Sequence, residues 1–292
     1  MASPNPPLGG PLLAVITVSY GSDDVLPGFL ASIPASTSEE PLVIVADNKP
    51  AAGDAVASLT AAAGAVYLPL DRNAGYGAAI NAAARDLPAS VEWILISNPD
   101  VALKPNAVDR LLSTGRGDNS IGAVGPAILT AEGDVYPSAR AIPSLRHGIG
   151  HALFSNLWAD NPWSRTYRNE LGSQQTGRDA GWLSGANLLV RRSAFDALGG
   201  FDEGYFMYFE DVDLGYRMTK AGYRNVYEPE AQVTHTGAHS TTNDSAAMVA
   251  AHHNSARRFL DRKYSGALLL PVRVALRAGL AARSRLAQRA LR

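Results

Sequence analysis

Four apolar runs of strand length, each ending in polar residues, place the strongest constraint on how this chain folds. The runs lie at 11–20, 41–46, 65–70 and 92–97, and helix-forming, mostly alanine-rich stretches separate them. Strands joined by helices of this length pair in parallel through right-handed crossovers. Such sheets bind ligands at the carboxyl ends of their strands, so we expect the polar tips to converge there.

The length and composition fit one large α/β domain with an appended helix. The chain has 292 residues, of which 46% are hydrophobic and 18% charged, as is usual for a globular protein. Regular patterns return at 106–113, 123–129, 182–191, 193–198 and 225–227, whereas 136–175 has the character of irregular loops. We predict a disordered leader at 1–10, an α/β domain at 11–262 and a basic amphipathic helical tail at 263–292.

Three absences in the sequence narrow the function classes. There is no cysteine, which excludes disulfide scaffolds, thiolate zinc sites and cysteine nucleophiles and favours the cytoplasm. The proline-rich start has neither the basic region nor the apolar run of a signal peptide. No window approaches the roughly 18 to 20 apolar residues of a membrane span, so we expect no integral membrane segment.

The charge is distributed unevenly along the chain. After His253 there are ten basic residues and one acidic residue, a charge of +9, whereas the rest of the chain carries −10. From Leu268 a helical projection separates leucines and valine from most of the arginines, a pattern typical of helices that lie on anionic bilayers. The same pattern also fits a helix that packs on the body or mediates self-association. No aromatic-basic motif for nucleic acid accompanies it.

The segment 199–217, GGFDEGYFMYFEDVDLGYR, places five carboxylates among six aromatic rings. Carboxylates resist dehydration unless they are paired, hydrogen-bonded or bound to metal, so this mixture indicates a site in which acidity is tuned. A catalytic base is the natural candidate. The alternative is an amphipathic helix that begins at Glu210, buries its apolar side chains and gains from acids near its N-terminus.

Polar groups also occur in three other loops. Asn98-Pro99-Asp100 ends a strand, and Asp100 suits a hard divalent cation shared with phosphate, although a plain turn explains the same residues. The loop 71–77 has glycines that allow a ligand to approach or simply supply a positive φ, and it lacks the GxxxxGK[ST] and GxGxxG patterns. His235 either ligates a metal or caps a strand.

Taken in order, these features resemble a family 2 glycosyltransferase of the GT-A fold, an α/β fold with a mostly parallel central sheet flanked by helices. The resemblance covers residues 12–239. It rests on Val18-Ser19-Tyr20, Ala46-Asp47-Asn48, Asn73-Ala74-Gly75-Tyr76-Gly77 with Asn81, Asn98-Pro99-Asp100, Gly200-Phe201-Asp202 and Phe209-Glu210-Asp211-Val212-Asp213. More narrowly, 136–140 (YPSAR) and 181–185 (GWLSG) resemble the actinobacterial rhamnosyltransferases that use dTDP-rhamnose and a polyprenyl-diphosphate-linked acceptor.

The resemblance implies a nucleotide-sugar site at the carboxyl edge of the sheet. Asp47 and Asn48 would hydrogen-bond the pyrimidine or the ribose, in a pocket lined by Thr17, Ser19 and Tyr20. The other residues assigned to the nucleotide sugar are Asn73, Gly75, Tyr76, Asn81 and Asn98. Asp100 and His235 would bind Mg²⁺ or Mn²⁺ through the donor diphosphate, although Asn98 replaces the first carboxylate of the fuller Asp-x-Asp pattern.

The resemblance also implies the catalytic and acceptor residues. Asp211 would be the general base on the acceptor hydroxyl, so that one displacement inverts the anomeric configuration, and Glu210 would orient the site. Asp213 would face away as a helix acid. Trp182 and Arg140 would contact the acceptor sugar and its diphosphate.

We therefore expect an inverting glycosyltransferase that moves L-rhamnose from dTDP-rhamnose to polyprenyl-diphosphate-linked N-acetylglucosamine, in synthesis of the cell-wall linker between arabinogalactan and peptidoglycan. Because that acceptor stays in the membrane, the tail would hold the cytoplasmic enzyme on the inner face of the plasma membrane. We expect no nucleic-acid partner, and a homo-oligomer stays open. The alternatives are transfer of another sugar, such as galactofuranose or glucose, to a similar lipid, and a catalytically silent membrane scaffold.

Overall fold

The computed structural model describes residues 10–50, 55–143, 175–237, 245–271, 273–275 and 277. Strands and helices alternate through the first hundred residues, within a few residues of the predicted bounds. In order they are β1 (Leu13–Ser19), α1 (Leu26–Ser36), β2 (Leu42–Asp47), α2 (Ala55–Ala62), β3 (Val66–Pro69), α3 (Tyr76–Ala84) and β4 (Trp93–Ser97). β1 is buried along its whole length, because helices cover both faces of a parallel sheet.

The second half contains shorter and more varied elements. They are β5 (Val101–Leu103), α4 (Ala107–Gly117), β6 (Ile121–Leu129), β7 (Val135–Tyr136), β8 (Ala139–Arg140), β9 (Arg178–Ala180), β10 (Trp182–Leu183), β11 (Asn187–Arg191), α5 (Arg192–Ala197), α6 (Glu210–Lys220), β12 (Arg224–His235) and α7 (Ser245–Lys263), followed by a 3₁₀ turn at Ala267–Leu269. The helix proposed to begin at Glu210 is present as α6. The regular stretch predicted at 182–191 is two strands, β10 and β11.

Two elements go beyond the sequence prediction. β12 has twelve residues, whereas the sequence predicts a strand of three. The prediction is too short because Pro229 and its acidic neighbours interrupt the apolar pattern. At the same place the register with β6 shifts, between Glu228 and Gln232. The sequence does not predict α7 as a helix. In the structure this helix packs on α6, and its Phe259 is fully buried there.

The central sheet has the order β3-β2-β1-β4-β11-β6-β12-β5, with β7 beside β6 and β9 beside β12. The first four strands run parallel as predicted, β11 lies antiparallel between β4 and β6, and β12 is parallel to β6. The carboxyl ends of β1, β2 and β4 meet at one edge, where Ser19 pairs with Asp47 and Thr17 with Ser97. The polar strand tips therefore converge as expected.

The predicted leader and most of the predicted tail lie outside the described residues. α7 ends at Lys263, and after it Leu268, Leu270 and Val274 are exposed. Among the described helices, none combines the length and the apolarity that spanning a bilayer requires.

Candidate active site

The two adjacent acids Glu210 and Asp211 form the first turn of α6, at the same edge as the strand tips. The two residues before them, Tyr208 and Phe209, have φ angles of +67° and +66°, a left-handed conformation uncommon for residues with a Cβ. Asp211 Oδ2 accepts the N–H of Gly185 at 3.0 Å, and Oδ1 accepts the N–H of Val212 at 2.8 Å. Two backbone donors thus fix the carboxylate of the predicted base.

The electrostatics of this turn favour a protonated glutamic acid beside a base. Burial, followed by the negative charge of Asp211, raises the pKa of Glu210 to about 8. Its Oε2 is buried and has no hydrogen-bond partner among the described residues. Burial also raises the pKa of Asp211, while the N–H groups of Gly185 and Val212 and the charge of Arg140 oppose that rise. Burial therefore raises the pKa of both adjacent carboxyl groups, but only Asp211 has backbone donors and a nearby cation that favour its ionised form.

Tyr76 lies between the acids and the strand tip that ends at Asp100. Its hydroxyl donates to the carbonyl oxygen of Gly185 at 2.9 Å. Burial raises its pKa well above the usual value, and the negative charges of Glu210, Asp211 and Asp100 raise it further. Four predicted site residues therefore share one neighbourhood.

The predicted metal ligands Asp100 and His235 are brought together by strand pairing. β12 pairs antiparallel with β5, so that His235 lies opposite Val101. His235 Nε2 lies 3.1 Å from Asp100 Oδ1 and 3.3 Å from the amide nitrogen of Asn98. Two ligands about 2.1 Å from a divalent ion and at right angles are about 3 Å apart, so this pair fits such an ion.

The protein supplies only part of a coordination shell at this position. No group of three or more His, Asp or Glu side chains suited to a metal ion occurs in the described ranges. A divalent ion at this pair would need further oxygen ligands, of the kind that a diphosphate supplies to Mg²⁺.

Buried polar atoms mark the part of the site assigned to the nucleotide. The hydroxyls of Thr17 and Ser19 and the amide oxygen of Asn48 are buried without a hydrogen-bond partner among the described residues. Asp47 is fully buried; its Oδ1 accepts the N–H of Lys49 and its Oδ2 accepts the hydroxyl of Tyr67, each at 2.9 Å. Unsatisfied groups at the strand ends are the kind that a polar ligand would pair.

The outer wall of this region is an exposed aromatic ring. Tyr20 is nearly half exposed, and Lys49 Nζ lies 5.4 Å from the centre of its ring. The pair presents a flat face and a positive charge beside the strand ends.

The loop before α3 connects the nucleotide region to the acids. Asn48 Nδ2 donates to the Gly75 carbonyl at 3.3 Å, and Asn73 Oδ1 accepts the Gly75 N–H at 3.0 Å. Gly75 has φ +104°, and a Cβ there would lie 2.2 Å from the carbonyl oxygen of Phe206. The next N–H, that of Tyr76, donates to the same oxygen at 3.2 Å. Glycine is required because two backbones meet here.

The predicted acceptor residues form a stack beside Asp211. Arg140 of β8 pairs with Trp182 of β10, and its guanidinium lies 5.8 Å from the Trp182 ring and 5.4 Å from the Tyr136 ring. The Trp182 indole N–H donates to the carbonyl of Ala141 at 3.1 Å. An arginine held between aromatic rings suits recognition of an anionic or sugar group.

Two residues have protein partners that the sequence did not indicate. Asn81 donates to the Phe201 carbonyl and accepts the Phe201 N–H, both at 2.9 Å; it fastens α3 to the loop at Phe201, so its nucleotide contact stays a prediction. Asp213 is fully buried between Arg217, four residues later on α6, and Arg262 of α7. Its side chain makes no hydrogen bond or ion pair with a predicted site residue in the described ranges, so the expectation that it faces away from the site stays a prediction.

Sequence reasoning assigned no role to Tyr67 or to the arginines of α7, and it pointed to Tyr136 and Gly185 only as members of the motifs 136–140 and 181–185. Gly185 acts through its backbone, which no side-chain motif reveals. Tyr67 lies 20 residues from Asp47 in sequence; in the register of β2 and β3 it lies opposite Val45, and its hydroxyl reaches diagonally to Asp47 two residues further along β2. Successive side chains alternate between the faces of a strand, so Val45 and Asp47 share one face.

Comparison with known proteins agrees with this geometry. A family model described as glycosyltransferase like family 2 matches residues 10–255. An N-acetylglucosaminyl-diphospho-decaprenol L-rhamnosyltransferase of Mycobacterium tuberculosis is 43% identical over 284 residues, which cover 94% of this chain and 92% of that protein. The rhamnosyltransferase WbbL of Escherichia coli is 28% identical over 266 residues, 86% of this chain and 94% of that protein.

A solved structure has the same fold at low identity. It is the mannosyltransferase PcManGT of Pyrobaculum calidifontis in complex with GDP-Man and Mn²⁺, with a TM-score of 0.58 and 15% identity over 97% of this chain and 76% of that chain. At that identity the likeness concerns the GT-A fold.

Proposed function

The chain belongs to glycosyltransferase-like family 2, and from that premise we propose that it transfers L-rhamnose from dTDP-rhamnose to N-acetylglucosamine on a polyprenyl diphosphate. The observation that carries the proposal is the arrangement of Asp211 and the Asp100–His235 pair around Tyr76. The 43% identity to the mycobacterial rhamnosyltransferase across nearly the whole chain supports the choice of sugar and acceptor.

In this proposal the acceptor hydroxyl attacks the anomeric carbon from the side opposite the nucleotide. Asp211 takes the hydroxyl proton while the bond from the anomeric carbon to the dTDP oxygen breaks, so the configuration inverts. Asp100 and His235 would hold a Mg²⁺ or Mn²⁺ ion, which would supply charge stabilisation for the departing diphosphate. Glu210, protonated at neutral pH, adds no second negative charge beside the base.

Different groups bind the two substrates. Thr17, Ser19 and Asn48 offer the thymidine portion polar atoms that have no hydrogen-bond partner within the described ranges. Arg140, between its aromatic neighbours, contacts the acceptor diphosphate or the sugar that carries it.

The lipid acceptor accounts for the basic C-terminal segment. The exposed Leu268, Leu270 and Val274 belong to the same stretch of sequence as Arg273 and Arg277, a mixture suited to an anionic bilayer surface. The enzyme would then work as a peripheral protein on the inner face of the plasma membrane, where its acceptor is anchored.

The test is thermal stabilisation by dTDP, UDP and GDP, each with and without Mn²⁺, since a ligand that binds only the native state raises the melting temperature. We expect the largest shift with dTDP and a further increase with Mn²⁺ that Asp100→Asn removes. A preference for UDP would assign another donor sugar. No shift with any nucleotide, together with no turnover on lipid-linked N-acetylglucosamine, would favour a scaffold.

A further inference from the structure

The turn that precedes the catalytic acids is held in an unfavourable conformation. Tyr208 and Phe209 both have positive φ angles although both carry a Cβ, and such backbones persist only where surrounding contacts over-determine them. The next two residues are Glu210 and Asp211. The contacts that stabilise Tyr208 and Phe209 in this conformation therefore also set the direction in which α6 begins.

The contacts on this turn come from α7. Ser255 Oγ donates to the carbonyl oxygen of Met207 at 2.8 Å. The His252 ring lies edge-on to Tyr208 and Phe209, with ring centres 5.5 and 5.4 Å away. Phe259, which is fully buried, packs against Phe209 with ring centres 5.8 Å apart. One face of α7 thus contacts the whole turn.

Arg262 of α7 contacts residues on both sides of the turn, one before it and one after it. Its Nη1 lies 3.0 Å from Oδ1 of the buried Asp213, two residues after Asp211. Its Nη2 pairs with Asp202, which Arg258 also contacts at 2.7 Å. Asp202 belongs to the loop that Asn81 fastens to α3. Arg262 therefore ties α7 to α6 and to the loop that leads into the strained turn.

We propose that α7 is a positioning element of the catalytic site, in which Ser255 and Arg262 hold 207–213 so that Asp211 meets the acceptor hydroxyl. This inference rests on the proposed role of Asp211 as base. Arg258, Phe259 and Arg262 lie beyond residue 255, where the match to the family model ends. Part of the contribution is therefore carried by residues outside the matched family core, whereas His252 and Ser255 lie inside it.

The test compares Ser255→Ala, Arg262→Ala and Arg262→Lys with a control on the same helix. Arg257→Ala serves as that control, because Arg257 is exposed and has no hydrogen bond or ion pair with any other described residue. We expect kcat to fall about threefold to tenfold for Ser255→Ala and about tenfold or more for Arg262→Ala, with the donor KM within about twofold. Arg262→Lys should recover part of the loss, and Arg257→Ala should behave as wild type.

A purely structural role gives a different result. If both alanine variants lower the melting temperature but keep the wild-type kcat, α7 only stabilises the fold and the proposal is wrong. Should Arg262→Ala fail to fold, Ser255→Ala decides, because it removes one hydroxyl from an otherwise unchanged helix.

Hydrogen exchange separates this proposal from the proposed function. The N–H groups of Gly185 and Val212 report on the Asp211 carboxylate that they contact, with or without turnover. We expect both to exchange faster in Ser255→Ala than in Arg257→Ala. Equal exchange in the two variants would overturn the positioning role even if the wild-type enzyme transfers rhamnose, and faster exchange would support it even if the donor is another sugar.

Discussion

The hydroxyl of Tyr76 donates a 2.9 Å hydrogen bond to the carbonyl of Gly185. The N–H of the same Gly185 holds Asp211 Oδ2 at 3.0 Å. A Cβ on Gly185 would lie in ordinary contact with both neighbours, 3.4 Å from Asp211 Cβ and 3.7 Å from Tyr76 Cε1. The start of α3 and the proposed base Asp211 are therefore linked through a single residue, Gly185, whose carbonyl Tyr76 contacts.

Tyr76→Phe should impair the chemical step more than donor binding. The ring is kept, but the Gly185 carbonyl loses its donor, so its N–H is less firmly directed at Asp211 and the pKa of Asp211 should rise. We expect kcat to fall about tenfold and the acidic limb of the kcat profile to move to higher pH. Steady-state kinetics across pH 5.5–9 measure both effects, and an unchanged profile with wild-type kcat would contradict the link.

Tyr67→Phe is the matched comparison, because it removes a tyrosine hydroxyl from the nucleotide side. Tyr67 donates to the buried Asp47 carboxylate, so its loss should disturb the region assigned to the nucleotide rather than the base. We expect the donor KM to rise about threefold to tenfold with kcat nearly unchanged. A fall in kcat with an unaltered KM would mean that Asp47 does not serve the nucleotide.

Glu210→Gln should change the pH dependence of stability. The pKa of Glu210 is about 8 in the folded protein and near 4.5 when unfolded, so between these values the native state holds more protons. The free energy of unfolding therefore falls as pH rises through this window, and the full penalty is present above about pH 8. The amide removes it, so we expect the variant to melt higher at pH 8.5 by about 3 °C or more.

The control for this experiment is Glu40→Gln, which neutralises an exposed carboxylate far from the site. Melting curves at pH 5 and pH 8.5 should show the difference between Glu210→Gln and wild type growing with pH, whereas the control should run parallel to wild type. Parallel curves for both variants would mean that Glu210 ionises at an ordinary pH.

The sequence predicts the strand tips well because their chemistry is local. The carboxyl ends of parallel strands meet at one edge of the sheet, so the apolar run before each of Ser19, Asp47 and Asp100 places that residue at this edge. Asp213 shows where such reasoning ends: on an isolated helix it faces away from Asp211, but Arg262, 49 residues later, buries it. The sequence of α7 has no apolar periodicity that shows which element it packs against. Its contacts with Asp213 are therefore visible only in the folded structure.

Gly75→Ala should be strongly destabilising, because the positive φ and a backbone clash act together. The added Cβ would lie 2.2 Å from the Phe206 oxygen, and a backbone atom cannot move aside as a flexible side chain does. We expect a loss of roughly 2–4 kcal/mol in the free energy of unfolding. Gly64→Ala, with φ +69° and nothing within 4 Å, isolates the backbone strain and should cost about 1 kcal/mol. Equal losses by chemical denaturation would mean that the clash is relieved.

Asn98→Asp should strengthen divalent-metal binding, because it adds a carboxylate beside an existing ligand pair. Asn98 Nδ2 lies 3.3 Å from His235 Nε2, which lies 3.1 Å from Asp100 Oδ1, so an oxygen at position 98 would join two groups that already converge. Mn²⁺ prefers carboxylate to amide oxygen, and we expect the apparent Kd for Mn²⁺ to fall about tenfold. Titration of Mn²⁺ with and without dTDP measures this directly. Asn106→Asp adds the same charge away from the strand tips and should leave the Kd unchanged, whereas equal affinities in Asn98→Asp and wild type would mean that the metal binds elsewhere.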